Sequence, residues 1–220
     1  MTDIIDSPNL AAGVISNFFS LDLLESIQKV MRKLDTTEPK AGGWCHGLDK
    51  HNKAYLWFSK TVLQPLRNTF HPNLDLIFGM LLHSTKPFGV HSDHFILDVP
   101  GQQFKSFLIP INVDGTVANI SDAKTIIFDQ IDEHSRMSVN PNKEQLPLLS
   151  ADISALNIWQ SDLSHIPRES AEVLSVKLSA PWSKGDLIYW NSLLLHTSND
   201  FIAKGHSFKE CIVIHTYIPL

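Results

Sequence analysis

The sequence predicts a mainly β protein with N-terminal helical support. Amphipathic periodicity lies ahead of Leu74, short apolar or alternating runs follow it, and turn residues separate those runs. At 220 residues, 43% hydrophobic and 19% charged, the chain suits one packed domain. Within it, residues 1–73 are expected to give helical support, 74–129 and 172–220 the β core, and 130–171 an insertion able to act as a lid. Short strands after N-terminal helices suggest a barrel-like β-sandwich.

The first element is a helix capped by Ser20, in which Leu23, Leu24, Ile27, Val30, Met31 and Leu34 recur at helical spacing, with Asp22 and Glu25 near its start. The stretch Ala41-Gly-Gly-Trp-Cys-His-Gly reads as a loop, and residues 56–70 as a weaker helical segment interrupted by Pro65. Strands are expected at 74–83, 90–97, 104–113, 124–129, 173–178, 186–190 and 209–217, with turn signals at Asp114-Gly115 and Lys184-Gly185. Between 130 and 171 the pattern fails: Asn140-Pro141-Asn142, Pro147 and Pro167 break a polar stretch that carries Trp159.

Composition narrows the function classes. A formal charge of −5 gives no general basic footprint, so nucleic acid is a disfavoured partner. Two cysteines, Cys45 and Cys211, make neither a disulfide framework nor a paired zinc motif, and point to a reducing cytoplasm. The N-terminus is acidic where a signal peptide would be basic, and no apolar run reaches bilayer length, so a membrane location is not expected. The oligomeric state is not legible.

Three residues carry the chemistry. In His91-Ser-Asp93, strand alternation turns an imidazole and a carboxylate to one face. Alone, such a triplet is as often accidental as functional. Gly185-Asp-Leu-Ile-Tyr-Trp-Asn-Ser-Leu-Leu-Leu-His196 delivers a second imidazole to a strand end, where a lone histidine beside leucines would usually be a hydrogen-bonded core residue. Together, His91, Asp93 and His196 make a two-histidine, one-carboxylate set that leaves half of an octahedral ion open, the pattern of non-haem Fe(II) oxygenases. The same residue types also suit zinc or nickel, which keeps open a metal-holding sandwich that binds a small ligand without oxidising it.

With these motifs in order, joined by Phe107-Leu-Ile-Pro-Ile-Asn-Val, Thr125-Ile-Ile-Phe and Lys209-Glu-Cys-Ile-Val-Ile-His-Thr-Tyr, the chain resembles the 2-oxoglutarate- and Fe(II)-dependent dioxygenase superfamily, in its phytanoyl-CoA hydroxylase and prolyl hydroxylase-like branches. The resemblance runs over residues 74–217 without the insertion. It implies a double-stranded β-helix, a cupin-like jelly roll with the metal near its open end. It also implies O2-dependent decarboxylation of 2-oxoglutarate to succinate, supported by ascorbate and coupled to oxidation of a small-molecule or peptide substrate. Related halogenases lack the carboxylate, so Asp93 implies a hydroxylase.

The distal carboxylate of 2-oxoglutarate needs a buried cation. Relatives usually supply an arginine after the second histidine, whereas Arg32, Arg67, Arg136 and Arg168 all precede His196. Lys209 is the expected substitute, with Lys204 and Lys105 as alternatives. Alternation puts Lys209, Cys211, Val213 and His215 on one face and Glu210, Ile212 and Ile214 on the other. His83 and Thr125 fall where relatives place polar cosubstrate contacts. The cluster Asp132-Glu-His134 reads as solvated loop, and Trp159 and Arg136 are expected to help select the substrate.

Overall fold

The computed structural model describes residues 11–34, 36–37, 43–93, 103–115, 120–131 and 153–219. Expected features at residues 94–97, 132–134, 136 and 140–147 lie outside them.

The architecture is mostly β, with antiparallel sheets and few helices. Among the described residues, β1 (Ala12–Ile15), β2 (Thr36–Thr37), β3 (Gly43–Leu48), β4 (Asp75–Ser84), β5 (Gln103–Gly115), β8 (Leu187–Asn191) and β10 (His206–Ile218) form a seven-stranded sheet in the order β1-β8-β5-β10-β4-β3-β2. A three-stranded sheet, β7-β6-β9, is built from β6 (Lys124–Ile131), β7 (Val176–Pro181) and β9 (Leu194–Ser198). The sheets face each other across a core of Leu108, Ile127, Ala180, Trp182, Ile188, Trp190, Leu194, Cys211 and Val213.

Helices cover the outer face of the larger sheet. In α1 (Leu21–Met31), the Ser20 hydroxyl accepts from the Leu23 amide, Asp22 and Lys29 complement the helix dipole, and Leu24, Ile27 and Met31 are buried on one side. They pack with Leu81, Phe107, Ile109, Ile212 and Ile214 of the sheet and with residues of a second helical stretch. That stretch is α2 (Tyr55–Phe58), a π-helical turn at Ser59–Leu63 and α3 (Gln64–Thr69). Pro65, lacking an N–H to donate into the preceding turn, sits where the π turn passes into α3. On the far side of the smaller sheet, Leu163, Ile166 and Ala171 pack on Ile126, Phe128 and Leu195. They follow or belong to α4 (Ile153–Asp162) and α5 (Arg168–Ala171), two helices inside the expected insertion.

Two departures from the sequence reading have local causes. The expected loop at residues 41–47 holds β3, which pairs with β4 from Gly43↔Ser84 to Leu48↔Gly79. Gly43 is required there, since a Cβ would collide with the His83 carbonyl oxygen. The strand expected at 173–178 starts only at Val176, because Leu174 still bonds back to Ala171 as the α5 turn closes.

β10 anchors the larger sheet, pairing with β4 on one side and β5 on the other, and every residue from Lys209 to Thr216 is buried. Its outward face carries Glu210, 3% exposed, whose carboxylate takes hydrogen bonds from Arg32 Nη2 at 2.9 and 3.0 Å and from Gln28 Nε2 at 3.2 Å. This network ties α1 to the larger sheet on the side away from the smaller one. Arg32→Ala leaves that carboxylate short of its main counter-charge and is expected to destabilise the protein by about 1–3 kcal/mol in urea unfolding, without altering Mn(II) affinity; an unchanged unfolding midpoint would contradict this.

Candidate metal centre and cation pocket

His91 and His196 come from distant parts of the chain, and the backbone brings them together directly. The His91 amide donates to the His196 carbonyl at 3.0 Å, and the His196 amide donates back at 2.8 Å, forming an isolated antiparallel bridge. Residues paired this way present side chains on a common face, and the two rings stand 4.3 Å apart. Each imidazole is oriented by a carbonyl: His91 Nδ1 lies 2.8 Å from Gly89 O, and His196 Nδ1 lies 3.1 Å from Leu194 O. Nδ1–H donation leaves the Nε2 lone pair of both rings directed inward, the tautomer of a metal ligand.

Asp93 joins them because its amide donates to Ser192 O at 3.0 Å, just beyond the end of β8. Its Oδ1 lies 3.9 Å from His91 Nε2 and its Oδ2 3.4 Å from His196 Nε2. One ligand atom from each of the three residues falls within 4.8 Å of the others. Trp190 Nε1–H donates to Asp93 Oδ2 at 3.1 Å, and His215 Nδ1 lies 3.8 Å from the same oxygen.

Burial alone would raise the Asp93 carboxyl, but the neighbouring imidazoles of His196, His215 and His91 hold it far below the usual carboxylate range. Burial lowers the His91 imidazole to about 4, aided by His196 and opposed by Asp93. Burial also pulls His196 down, yet the Asp93 charge and hydrogen bond outweigh it and the net change is upward. An ionised carboxylate beside two imidazoles whose Nδ1 atoms are engaged by carbonyls is a donor set that a divalent cation can join, displacing any proton held between His196 and Asp93.

Lys209 lies deeper in the same interior. It is 4% exposed, with Nζ 4.5 Å from the Trp182 ring centroid and 5.3 Å from that of Phe201. No carboxylate pairs with it among the described residues, and burial lowers its ammonium to about 8. The adjacent Cys211 thiol cannot neutralise it, because burial pushes that group up to about 12. Trp182 links the cation to Thr125, whose hydroxyl accepts from Trp182 Nε1 at 3.0 Å. The Lys209 charge also reaches His196, opposing its protonation.

Three other candidates are not brought to this interior. His83 lies opposite Glu210 on the helix-covered face, stacked on Trp44 at 4.7 Å and 3.3 Å from the Glu210 carboxylate. Lys105 alternates with Ser106, which faces inward, and so shares the helix-side face with Phe107. Lys204 reaches Asp162 at 3.7 Å and remains a third exposed.

No family model matches the sequence, and no curated protein matches it. Solved structures do match in three dimensions. HygX from Streptomyces hygroscopicus, with nickel and 2-oxoglutarate bound, is 18% identical with a TM-score of 0.52, over 96% of this chain and 84% of HygX. The non-haem α-ketoglutarate-dependent carbocyclase SnoK, from nogalamycin biosynthesis, is 12% identical with a TM-score of 0.57, over 95% of this chain and 80% of SnoK. The non-haem α-ketoglutarate-dependent epimerase SnoN, of the same biosynthesis, is 8% identical with a TM-score of 0.53, over 94% and 78%. The chain has the fold of these non-haem 2-oxoglutarate proteins.

Sequence reasoning missed the polar partners of the triad. Trp190 and Ser192 lay inside a quoted motif with no role, and only the inward turn of β8 exposes the indole N–H to Asp93. Trp159, expected to select substrate, donates its indole N–H to Ile166 O at 2.9 Å and packs against the outer face of the smaller sheet. No helix among the described residues is long and apolar enough to cross a membrane.

A buried ammonium with no carboxylate partner among the described residues destabilises the folded protein. Its lowering from 10.5 to about 8 corresponds to roughly 3 kcal/mol near neutral pH. The folded protein disfavours the charged form, so the penalty is full below about pH 8 and fades as pH rises towards 10.5. Lys209→Met, similar in volume and uncharged, is expected to raise the melting temperature at pH 7 and to lose that advantage above pH 10. A lowered melting temperature would show that the ammonium has a counter-charge.

Proposed function

We propose that this protein is a 2-oxoglutarate- and Fe(II)-dependent oxygenase with a double-stranded β-helix core, and that it hydroxylates a small-molecule or peptide substrate. The observation that carries the reading is the pairing, in one interior, of the His91, Asp93 and His196 cluster with a buried cation that lacks a carboxylate partner among the described residues. A metal site alone fits several activities. A metal site with a caged ammonium behind it fits a ligand that chelates at one end and carries a carboxylate at the other. Neighbours whose structures hold iron or 2-oxoglutarate share the fold.

The donor set suits the metal. Two imidazoles with Nε2 directed inward and one ionised carboxylate would hold Fe(II) with coordination sites left over for the cosubstrate and O2. When bound, Fe(II) supplies the redox chemistry that couples 2-oxoglutarate decarboxylation to substrate oxidation. The protein's own residues bind, orient and exclude water. Lys209 holds the distal carboxylate as a point charge, where an arginine would offer a two-pronged fork. Trp182 and Phe201 keep water from that contact and strengthen it by cation–π attraction. Thr125 fixes the Trp182 ring and contributes a hydroxyl to the same pocket.

Purified protein supplied with Fe(II), ascorbate, O2 and 2-oxoglutarate is expected to form succinate slowly without substrate, and His196→Ala to form none. Absence of both succinate formation and 2-oxoglutarate binding would overturn the reading. Binding by the Mn(II)-loaded protein without turnover, across a panel of candidate substrates, would instead identify a non-catalytic ligand-binding protein.

The cation adds a pH signature. Carboxylate binding requires the ammonium form, which dominates below about pH 8 and declines above it. The 2-oxoglutarate dissociation constant of the Mn(II) protein, followed by calorimetry, is therefore expected to be flat from about pH 6.5 to 7.5 and to rise towards tenfold per pH unit above about 8. Lys209→Arg removes the rise if it binds at all, and a flat wild-type profile to pH 9.5 would remove Lys209 from the contact.

A further inference from the structure

β10 carries an imidazole where its inward neighbours, Cys211 and Val213, belong to an apolar cluster. His215 is 3% exposed, and a polar ring buried this far is costly unless its nitrogens are satisfied. Its Nδ1 lies 3.1 Å from the Ser106 hydroxyl on β5, which in turn lies 2.9 Å from the Ser192 hydroxyl beyond β8. Ser106 and Ser192 are also buried, at 0% and 2% exposed. Ser192 completes the circuit, because its carbonyl accepts the Asp93 amide at 3.0 Å while His215 Nδ1 lies 3.8 Å from Asp93 Oδ2. The chain of polar groups thus starts at the Asp93 backbone and returns to the Asp93 carboxylate.

Such a ring of buried polar contacts has no counterpart in the packing needs of the barrel, which apolar side chains would meet more cheaply. It surrounds one group. Trp190 Nε1–H donates to Oδ2, and the His215 ring, hydrogen-bonded to Ser106, packs beside the same oxygen at 3.8 Å, beyond hydrogen-bond length. That oxygen also faces His196 Nε2 at 3.4 Å, while the other, Oδ1, faces His91 Nε2 at 3.9 Å.

We propose that His215, ordered by Ser106 and Ser192, is a positioning residue that acts with Trp190 on the Oδ2 side of Asp93 to fix the orientation of its carboxylate between His91 and His196. The inference rests on the triad's being a metal site. It assigns His215 no contact with the metal: the residue acts through Asp93. Partners that orient a metal-bound carboxylate typically contribute one to two orders of magnitude in affinity.

The test uses the whole protein with Mn(II) and Co(II) as probes and needs no substrate. His215→Leu is expected to weaken Mn(II) binding by about 10- to 100-fold, and to change the Co(II) absorption spectrum, while leaving the far-UV circular dichroism unaltered. His215→Asn places an amide nitrogen near the Nδ1 position and should restore Mn(II) affinity to within about threefold of wild type, as expected if a donor rather than a ring is required. If His215→Leu does not fold, Ser106→Ala carries the test, since it removes only the hydroxyl that orders the imidazole and should weaken Mn(II) binding several-fold. Wild-type affinity and spectrum in a folded Leu or Ala variant would overturn the proposal, as would an Asn variant no better than Leu. These failures differ from failure of the triad: if the wild-type protein binds neither Mn(II) nor Co(II), or if His196→Ala leaves binding intact, the metal site itself is wrong and His215 has nothing to position.

Discussion

Two backbone hydrogen bonds between His91 and His196 impose the constraint on which the site depends. Side chains can swing through several ångströms, whereas a reciprocal pair of amide–carbonyl bonds fixes two Cα atoms and the direction of both side chains at once. Ring orientation then follows from the Gly89 and Leu194 carbonyls, and Asp93 follows from Ser192. The ligands therefore hang on main-chain contacts between β9 and the residues after β4, held from behind by the three-stranded sheet. A metal held by the triad would complete an arrangement that the backbone has already assembled.

The interior shows the conflict between stability and function expected of a binding site. Lys209 and Asp93 are charges removed from water, and the protein compensates them unequally. Asp93 is surrounded by imidazoles and an indole donor, which keep it ionised. Among the described residues, Lys209 has aromatic faces and no carboxylate, and those faces attract a cation weakly without neutralising it. On the outward face of the same strand, Glu210 shows how the fold treats a charge with a purely structural role: Arg32 and Gln28 satisfy it within the protein. Adjacent residues of β10 thus carry a paired charge outside and an unpaired one inside, and the unpaired one waits for a partner from solution.

Periodicity made the frame legible. Ser20 with Leu24, Ile27 and Met31 delimits α1, and the run after Lys209 reads as a strand buried on both faces because both faces are covered. Alternation also separated Lys209 from Glu210 correctly. What pattern could not show was pairing across the sheet. Gly43 and Gly47 suggested a loop, yet β3 exists because glycine allows close approach to β4. His83 and Lys105 lie on strands of the right sheet but on its other face, a distinction that inverts with a shift of one residue. Trp159 reads as a substrate contact because the insertion is expected to lie over the open end as a lid; its packing of α4 on the smaller sheet is a contact that pattern could not show. The partners of Asp93 were hidden for a related reason: Ser106, Trp190, Ser192 and His215 lie on or just beyond different strands, and no spacing in the sequence unites them.

The central claim is that one interior chelates a metal and, at the same time, anchors a dicarboxylate behind it. Anaerobic visible spectroscopy of the protein titrated with Fe(II) and then 2-oxoglutarate tests both halves together. The account predicts a metal-to-ligand charge-transfer band that appears only when both are present, disappears in His91→Ala, and in Lys209→Met requires far more 2-oxoglutarate. A wild-type protein that binds Fe(II) and shows no such band at saturating 2-oxoglutarate would contradict it.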